Sequence, residues 1–264
     1  MNGRVLIVAG SDSGGGAGIQ ADIKTVTMLG AFAATAITAL TAQNTQGVFG
    51  VLPIDPAFIR QQMEVVLNDI GADAIKTGML HDEGVIDTVA SVLDERAPGI
   101  PLVLDPVMVA KGGAALIELQ AIDALKRRLV PHAAVLTPNL PEAEFLCGQS
   151  IPDLAAMRKA ATALLDLGCR AVLLKGGHLA GDIVHDLLAT ASGVRDWTSP
   201  RIDSRHTHGT GCTLASAIAA GLAQGMTVEA AVERARDYVQ KAIASAPGFG
   251  RGHGPLDHAH PLRA

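Results

Sequence analysis

Short apolar runs recur along the chain at 5–9, 74–76, 102–104, 134–136 and 171–174. Strands covered by helices on both faces of a parallel sheet read this way, because neither face needs a polar alternate. Between the runs lie amphipathic stretches at 56–69, with Asp55 as N-cap, and at 82–96 and 151–167, and these predict helices. Strand, helix, strand repeated in this order predicts an α/β fold with a mostly parallel central sheet. Near the C-terminus the rhythm changes. Segments 182–189 and 194–198, separated by Ala191-Ser192-Gly193, predict a hairpin added to the sheet, and 213–224 and 228–246 predict two helices, the first Ala-rich and buried. No linker or composition shift divides the chain, so one domain over residues 1–264 is expected. In such sheets ligands lie beyond the carboxyl ends of the strands, and the loops after the strands are where chemistry is expected.

Composition narrows the partners. With 21 Lys+Arg against 26 Asp+Glu, and 3% aromatics, the chain lacks both a broad basic face and base-stacking material, so no nucleic-acid partner is expected. The 31–42 stretch carries three threonines and falls short of the roughly 20 residues that span a bilayer. The 5–9 run is too short for a signal-peptide core. Cys147, Cys169 and Cys212 are widely separated with no CxxC pair, which fits a reduced compartment and excludes a sulfur-ligated zinc. A soluble cytoplasmic protein with no membrane partner is expected. His253, His258 and His260 lie in a Gly/Pro-rich tail and are read as solvated surface rather than a zinc site.

The loops supply the candidate chemistry. Gly10-Ser11-Asp12-Ser13-Gly14-Gly15-Gly16-Ala17-Gly18 follows the first strand, and its glycines allow close backbone approach to a ligand. It lacks the Gly-Lys-Ser/Thr ending of a Walker loop. Thr207-His208-Gly209-Thr210-Gly211-Cys212-Thr213 opens the Ala-rich helix and points N–H groups at one spot, an arrangement that binds anions. Cys212 stands in the first turn, where thiol pKa values fall, so a partly ionised thiol is expected. A lone cysteine on an Ala-rich helix is ordinarily just a small core residue. Asp105, Asn139, Glu142 and Lys175 all sit at or just after strand ends; together they suit Mg²⁺ and a polyphosphate, although each alone is equally a helix cap or loop end. Gln43 offers a carboxamide able to pair with a ring nitrogen and an exocyclic amine, and Met79 and Val107 are placed to sandwich a flat ring.

Seven blocks carry a resemblance: AGSDSGGGAGIQADIKT (9–25), TALTAQNTQGV (38–48), IKTGML (75–80), VLDPVM (103–108), LTPNLPEAEFL (136–146), LLKGGHL (173–179) and THGTGCTLASAIAAGL (207–222). In order and over more than 200 residues, they resemble the hydroxymethylpyrimidine/phosphomethylpyrimidine kinases of thiamine biosynthesis, within the ribokinase-like superfamily. Ser13-Gly14 departs from the Pro-Ser or Ser-Ser of many relatives. The resemblance implies a ribokinase-like three-layer sandwich, a homodimer, ATP and Mg²⁺, and two successive phosphorylations of 4-amino-5-hydroxymethyl-2-methylpyrimidine. It also implies roles. Gln43 reads the aminopyrimidine edge, and Gly10, Asp22, Met79 and Val107 line its pocket. Lys175, Asn139, Thr207, Gly209 and Thr210 meet nucleotide and phosphates, and Asp105 and Glu142 organise the metal. Gly209 to Cys212, with Gly211, form an anion hole in which Cys212 takes the place of the aspartate base of sugar-kinase relatives. The alternatives are a pyridoxal kinase of the same family type and a non-catalytic nucleotide or pyrimidine sensor.

Overall fold

Alternate residues along the buried strands divide between two cores. In β1 (Arg4–Asp12), Leu6 and Val8 face one side of the sheet while Val5, Ile7 and Ala9 face the other, and all five are excluded from solvent. The computed structural model describes residues 1–108 and 119–263, apart from the side chains of 119 and 120. Among them are eight further strands, β2 (Phe32–Asn44), β3 (Gly47–Pro53), β4 (Ala74–Thr77), β5 (Leu102–Leu104), β6 (Ala133–Leu136), β7 (Ala171–Lys175), β8 (Ile183–Thr190) and β9 (Gly193–Pro200). All join one sheet in the order β3-β2-β1-β4-β5-β6-β7-β8-β9. Neighbours from β2 to β7 run parallel, and β3, β8 and β9 pair antiparallel at the two edges.

Helices cover both faces. α1 (Gly18–Met28), α7 (Thr210–Ala223) and α8 (Val228–Ala244) pack on the Val5/Ile7 side. α2 (Pro56–Asp69), α3 (Glu83–Arg96), α4 (Leu119–Ala124), α5 (Leu140–Cys147) and α6 (Leu154–Ala163) cover the Leu6/Val8 side. The result is the expected three-layer sandwich with a mostly parallel sheet. Burying each Leu, Ile or Val of these cores contributes about 1.5–3 kcal/mol relative to exposure. Asp55 and Asp82 accept the N–H of Ala57 and Val85 as N-caps of α2 and α3.

Three elements depart from the expectation. The 31–42 stretch, weighed only as a membrane span, forms most of β2: its threonines are β-branched, and Thr38 and Thr41 donate their hydroxyls to the carbonyls of Met79 and Ser11. The 151–167 helix begins at Leu154, capped by Asp153 after Pro152, and ends in a 3₁₀ turn over Leu164–Leu167. Of the tail histidines His253 is exposed as expected, but His258 and His260 are not solvated surface. His258 is buried with its Nε2 3.0 Å from Thr213 Oγ1, burial pushes it down to about 4, and His260 packs on Tyr238.

Candidate active site

The carboxyl ends of β1, β4, β5, β6 and β7 open into a cavity of about 1030 Å³ whose wall is completed by the N-terminus of α7. That helix starts three residues earlier than its apolar pattern suggests. Gly209 is its N-cap at φ +83°, and a Cβ there would run into the Gly16 carbonyl, so only glycine closes this loop on the 10–18 loop. Gly18, at φ +55°, meets the Gly10 carbonyl from the other side in the same way. Thr207, Gly209, Thr210, Gly211 and Cys212 consequently line one end of the cavity, with the positive end of the α7 dipole behind them.

Lys175 closes β7 opposite that helix end. Its Nζ lies 3.1 Å from Asp105 Oδ1 and 3.9 Å from Glu142 Oε2. Burial opposes the lysine's charge, but the two carboxylates outweigh it and raise its pKa. Thr137 Oγ1 adds a 3.1 Å hydrogen bond to Asp105. Asn139 and Glu142 form a reciprocal capping box at the start of α5: each side chain accepts the other's N–H, at 2.9 and 2.7 Å. Both line the cavity nonetheless. Burial pushes Glu142 up to about 7, with Asp105 adding to the rise and Lys175 opposing it. Two buried carboxylates that repel each other form a donor set suited to a hard, oxygen-seeking cation.

Cys212 corrects an expectation. Burial pushes its thiol up to about 12; Asp22 and Asp105 add to the rise, while Lys76 and the Gly18 N–H oppose it. The thiol is protonated at neutral pH, because desolvation of the anion outweighs the helix terminus.

Asp22 is a second correction. It does not line the cavity: its side chain is wholly buried, bonded through both oxygens to Lys76 Nζ at 3.0 and 2.9 Å and through Oδ1 to Ser216 Oγ at 2.7 Å. Lys76 lines the cavity in its place. Burial works against its charge, but Asp22 holds its pKa well above the ordinary value. Nothing in the 74–76 run marked Lys76 as more than a strand residue. Lys76→Met alone leaves a buried carboxylate without a counter-charge and destabilises the fold by about 3–5 kcal/mol, whereas the Lys76→Met/Asp22→Leu pair falls well short of that loss. Denaturant titration of the two variants measures the difference; equal losses would contradict the pairing.

At the other end Gly10, Met79, Val107 and Gln43 line the wall. The Gln43 backbone is pinned by Ser13, whose Oγ bonds both its N–H and its carbonyl at 2.8 Å. Asp12 and His208, not singled out from the sequence, join it. Asp12 accepts N–H groups from Gly14, Gly16 and Ala17 at 2.8–3.1 Å and lies 2.9 Å from His208 Nε2. Burial pushes Asp12 up, but His208 and these N–H groups outweigh it and leave the carboxyl below its ordinary range. Beyond Lys175 the cavity continues into an apolar slot lined by Val184, Pro200, Ile202, Val239 and Ile243, with Asp186 and Arg236 paired at 2.8 Å beside it. Its residues come from β8, β9 with the segment just after it, and α8, far apart in sequence and without a motif.

A family model described as phosphomethylpyrimidine kinase matches residues 12–257. The thiamine biosynthesis bifunctional protein ThiED of Geobacter sulfurreducens is 54% identical over 97% of this chain and 52% of its own length, so the chain spans about half of that relative. A hydroxymethylpyrimidine/phosphomethylpyrimidine kinase of Streptomyces coelicolor is 49% identical, covering 98% of this chain and 95% of its own. Among solved structures, an ADP complex of Bacillus subtilis pyridoxal kinase superposes with a TM-score of 0.92 at 36% identity, over 100% of this chain and 99% of the other. The matched span includes every strand-end loop that opens into the cavity except the first residues of the 10–18 loop, and on that basis the chain belongs to the phosphomethylpyrimidine kinase family.

Proposed function

We propose that residues 1–264 act as one ATP- and Mg²⁺-dependent kinase domain that phosphorylates 4-amino-5-hydroxymethyl-2-methylpyrimidine first to its monophosphate and then to its diphosphate, for thiamine synthesis. The observation that carries this reading is Lys175, 3.1 Å from Asp105 and facing the N-terminus of α7 in one continuous cavity. A cation and a helix N-terminus around one point stabilise the charge of a phosphoryl group in transfer.

Each residue then has a task. Gln43 holds the aminopyrimidine edge between Met79 and Val107, with Gly10 allowing close approach. The apolar slot at Val184, Pro200 and Ile243 takes the flat base of ATP, and Thr207, Asn139 and Thr210 flank its phosphates. The N–H groups from Gly209 to Cys212 receive the transferring phosphoryl oxygens, and Lys175 neutralises their charge. Asp105 and Glu142 would hold Mg²⁺, which when bound supplies positive charge to the polyphosphate. In its minor ionised form Cys212 accepts the proton of the substrate hydroxyl in the first transfer and becomes the thiol that predominates at neutral pH. The second transfer needs no base, because its nucleophile is an already ionised phosphate oxygen.

Pyridoxal carries a similar hydroxymethyl group but lacks the amine that Gln43 would read. With ATP and Mg²⁺, kcat/KM for the aminopyrimidine is expected to exceed that for pyridoxal by about 10²-fold or more, the discrimination given by a site left with unpaired polar groups. Phosphorylation of pyridoxal alone would overturn the reading, and ATP binding without turnover of either would make the chain a sensor.

We infer a cytoplasmic homodimer. Among the described residues no helix is long and apolar enough to cross a membrane. Leu40 and Leu52 face each other across β2 and β3 and are exposed, with Phe49 beyond them 71% exposed. An apolar patch on an edge strand is stabilised by covering it. Sedimentation is expected to give a dimer that becomes monomeric with Phe49→Glu and Leu52→Glu; a monomeric unmodified chain would contradict this.

A further inference from the structure

His208 sits where the two ends of the cavity meet, one residue before the N-cap of α7 and against Gln43. Its Nε2 lies 2.9 Å from Asp12 Oδ2 and 3.3 Å from the terminal nitrogen of Gln43. The hydrogen-bond inventory around it has one consistent solution. Asp12 already receives three backbone N–H groups, so it is an acceptor toward the ring, and His208 Nε2 must carry a proton. A protonated Nε2 cannot accept from an amide N–H. Its single proton is directed at Asp12, at 2.9 Å, and reaches the carboxamide only as the longer branch of a shared bond, at 3.3 Å; the end of Gln43 that faces it is therefore the oxygen, reached by a half-turn that exchanges two nearly isosteric atoms.

The other end agrees. Thr41 Oγ1 lies 3.1 Å from that part of the carboxamide, and its own proton goes to the Ser11 carbonyl at 2.8 Å. The threonine oxygen is thus an acceptor toward Gln43, which requires the amide NH₂ on the Thr41 side. With this orientation no donor faces another donor. One N–H of Gln43, on the Thr41 side, and one lone pair, on the His208 side, are left for a ligand.

We propose that His208 is a positioning residue that sets the direction in which the substrate ring lies, by locking the Gln43 carboxamide with its oxygen toward α7. The proposal rests on the aminopyrimidine reading above. On the substrate, ring nitrogen N3, the 4-amino group and the 5-hydroxymethyl group follow one another around the ring. The Gln43 N–H takes N3 on the Thr41 side and its oxygen takes the amine on the His208 side. The hydroxymethyl group then lies beyond the amine, toward Gly209 and Cys212, where transfer occurs. A reversed carboxamide would turn the ring over and carry the reacting hydroxyl away from the helix end.

The test uses the 4-oxo analogue, whose lactam form presents N3–H and a carbonyl and so reverses the donor and acceptor along this edge. Binding of both compounds to the nucleotide-free protein is measured by calorimetry for the unmodified chain, His208→Leu and His208→Gln. The unmodified protein is expected to prefer the amino compound by about 10²-fold or more, His208→Leu to lose most of that preference, and His208→Gln, which keeps a donor, to recover part of it. KM for ATP stays within about threefold while KM for the pyrimidine rises, since the change acts at the reading end. Undiminished preference in His208→Leu would overturn the proposal and leave the kinase reading standing. No binding of the amino compound by the unmodified protein would overturn the kinase reading itself, and the proposal with it. A measurement on the unmodified protein is independent of whether the variants fold: the Gln43 side-chain amide protons are expected to show nuclear Overhauser contacts to the Thr41 methyl, and contacts to the His208 ring instead would overturn the assignment.

Discussion

Replacing Cys212 by alanine is expected to slow the first phosphorylation by about 10²–10⁴-fold, the contribution of a positioned general base, and the second by less than about tenfold. The asymmetry follows from the nucleophiles. A primary alcohol must lose a proton as it attacks, whereas the monophosphate presents an oxygen that is already ionised near neutral pH. The burial of Cys212 adds a pH signature. With the thiol pushed up to about 12, its ionised fraction grows with every step in pH across the working range. The first phosphorylation should therefore accelerate from pH 6 to pH 9 in the unmodified protein and lose most of that slope in Cys212→Ala. Rapid-quench kinetics on the alcohol and on the monophosphate separate the two steps. Equal losses in both, with the pH slope retained, would mean that Cys212 shapes the helix end and takes no proton.

Lys175→Ala is expected to lower the second phosphorylation by about 10²–10³-fold, the loss that follows removal of one preorganised group at a developing charge, and to harm the first no more than that. The second transfer brings two phosphorylated species together, so more negative charge is gathered at the point that Lys175 faces. The lysine also lies 3.1 and 3.9 Å from two carboxylates that repel each other. Without it, Asp105 and Glu142 meet the incoming polyphosphate with one positive charge fewer beside them. Lys175→Arg keeps the charge but spreads it over a planar fork, and recovers only part of the rate. The same quench measurements decide it, and unmodified turnover in both steps would remove Lys175 from the mechanism.

Most of the sheet was legible because burial on both faces leaves a simple trace. β5 coincides with its apolar run at 102–104, and α2 matches its amphipathic stretch and its Asp55 cap. In β2, threonines that bond to neighbouring carbonyls look polar in the sequence although they suit a strand, and β3 holds two glycines and a proline that mask its apolar residues. The candidate site was legible where a chemistry-bearing residue directly follows a short buried apolar run, as Asp105 and Lys175 do. Lys76 escaped notice because its ammonium is neutralised by Asp22, 54 residues away, and only the fold brings the two together. Asp12 and His208 meet across 196 residues for the same reason. The capping box of Asn139 and Glu142 left a readable trace in Asn-Leu-Pro-Glu, and it joins the ordinary role of those residues to the one proposed for them. Cys212 was misjudged in its ionisation because position on a helix is visible in sequence and depth of burial is not.

The two-step transfer is tested most directly by a time course of purified protein with ATP, Mg²⁺ and 4-amino-5-hydroxymethyl-2-methylpyrimidine, followed by phosphorus NMR. Monophosphate is expected to appear first and then to decline as diphosphate accumulates, with two ATP consumed for each diphosphate formed. A course that stops at monophosphate while ATP remains, or ATP hydrolysis without phosphorylated pyrimidine, would contradict the claim that this one cavity carries out both transfers.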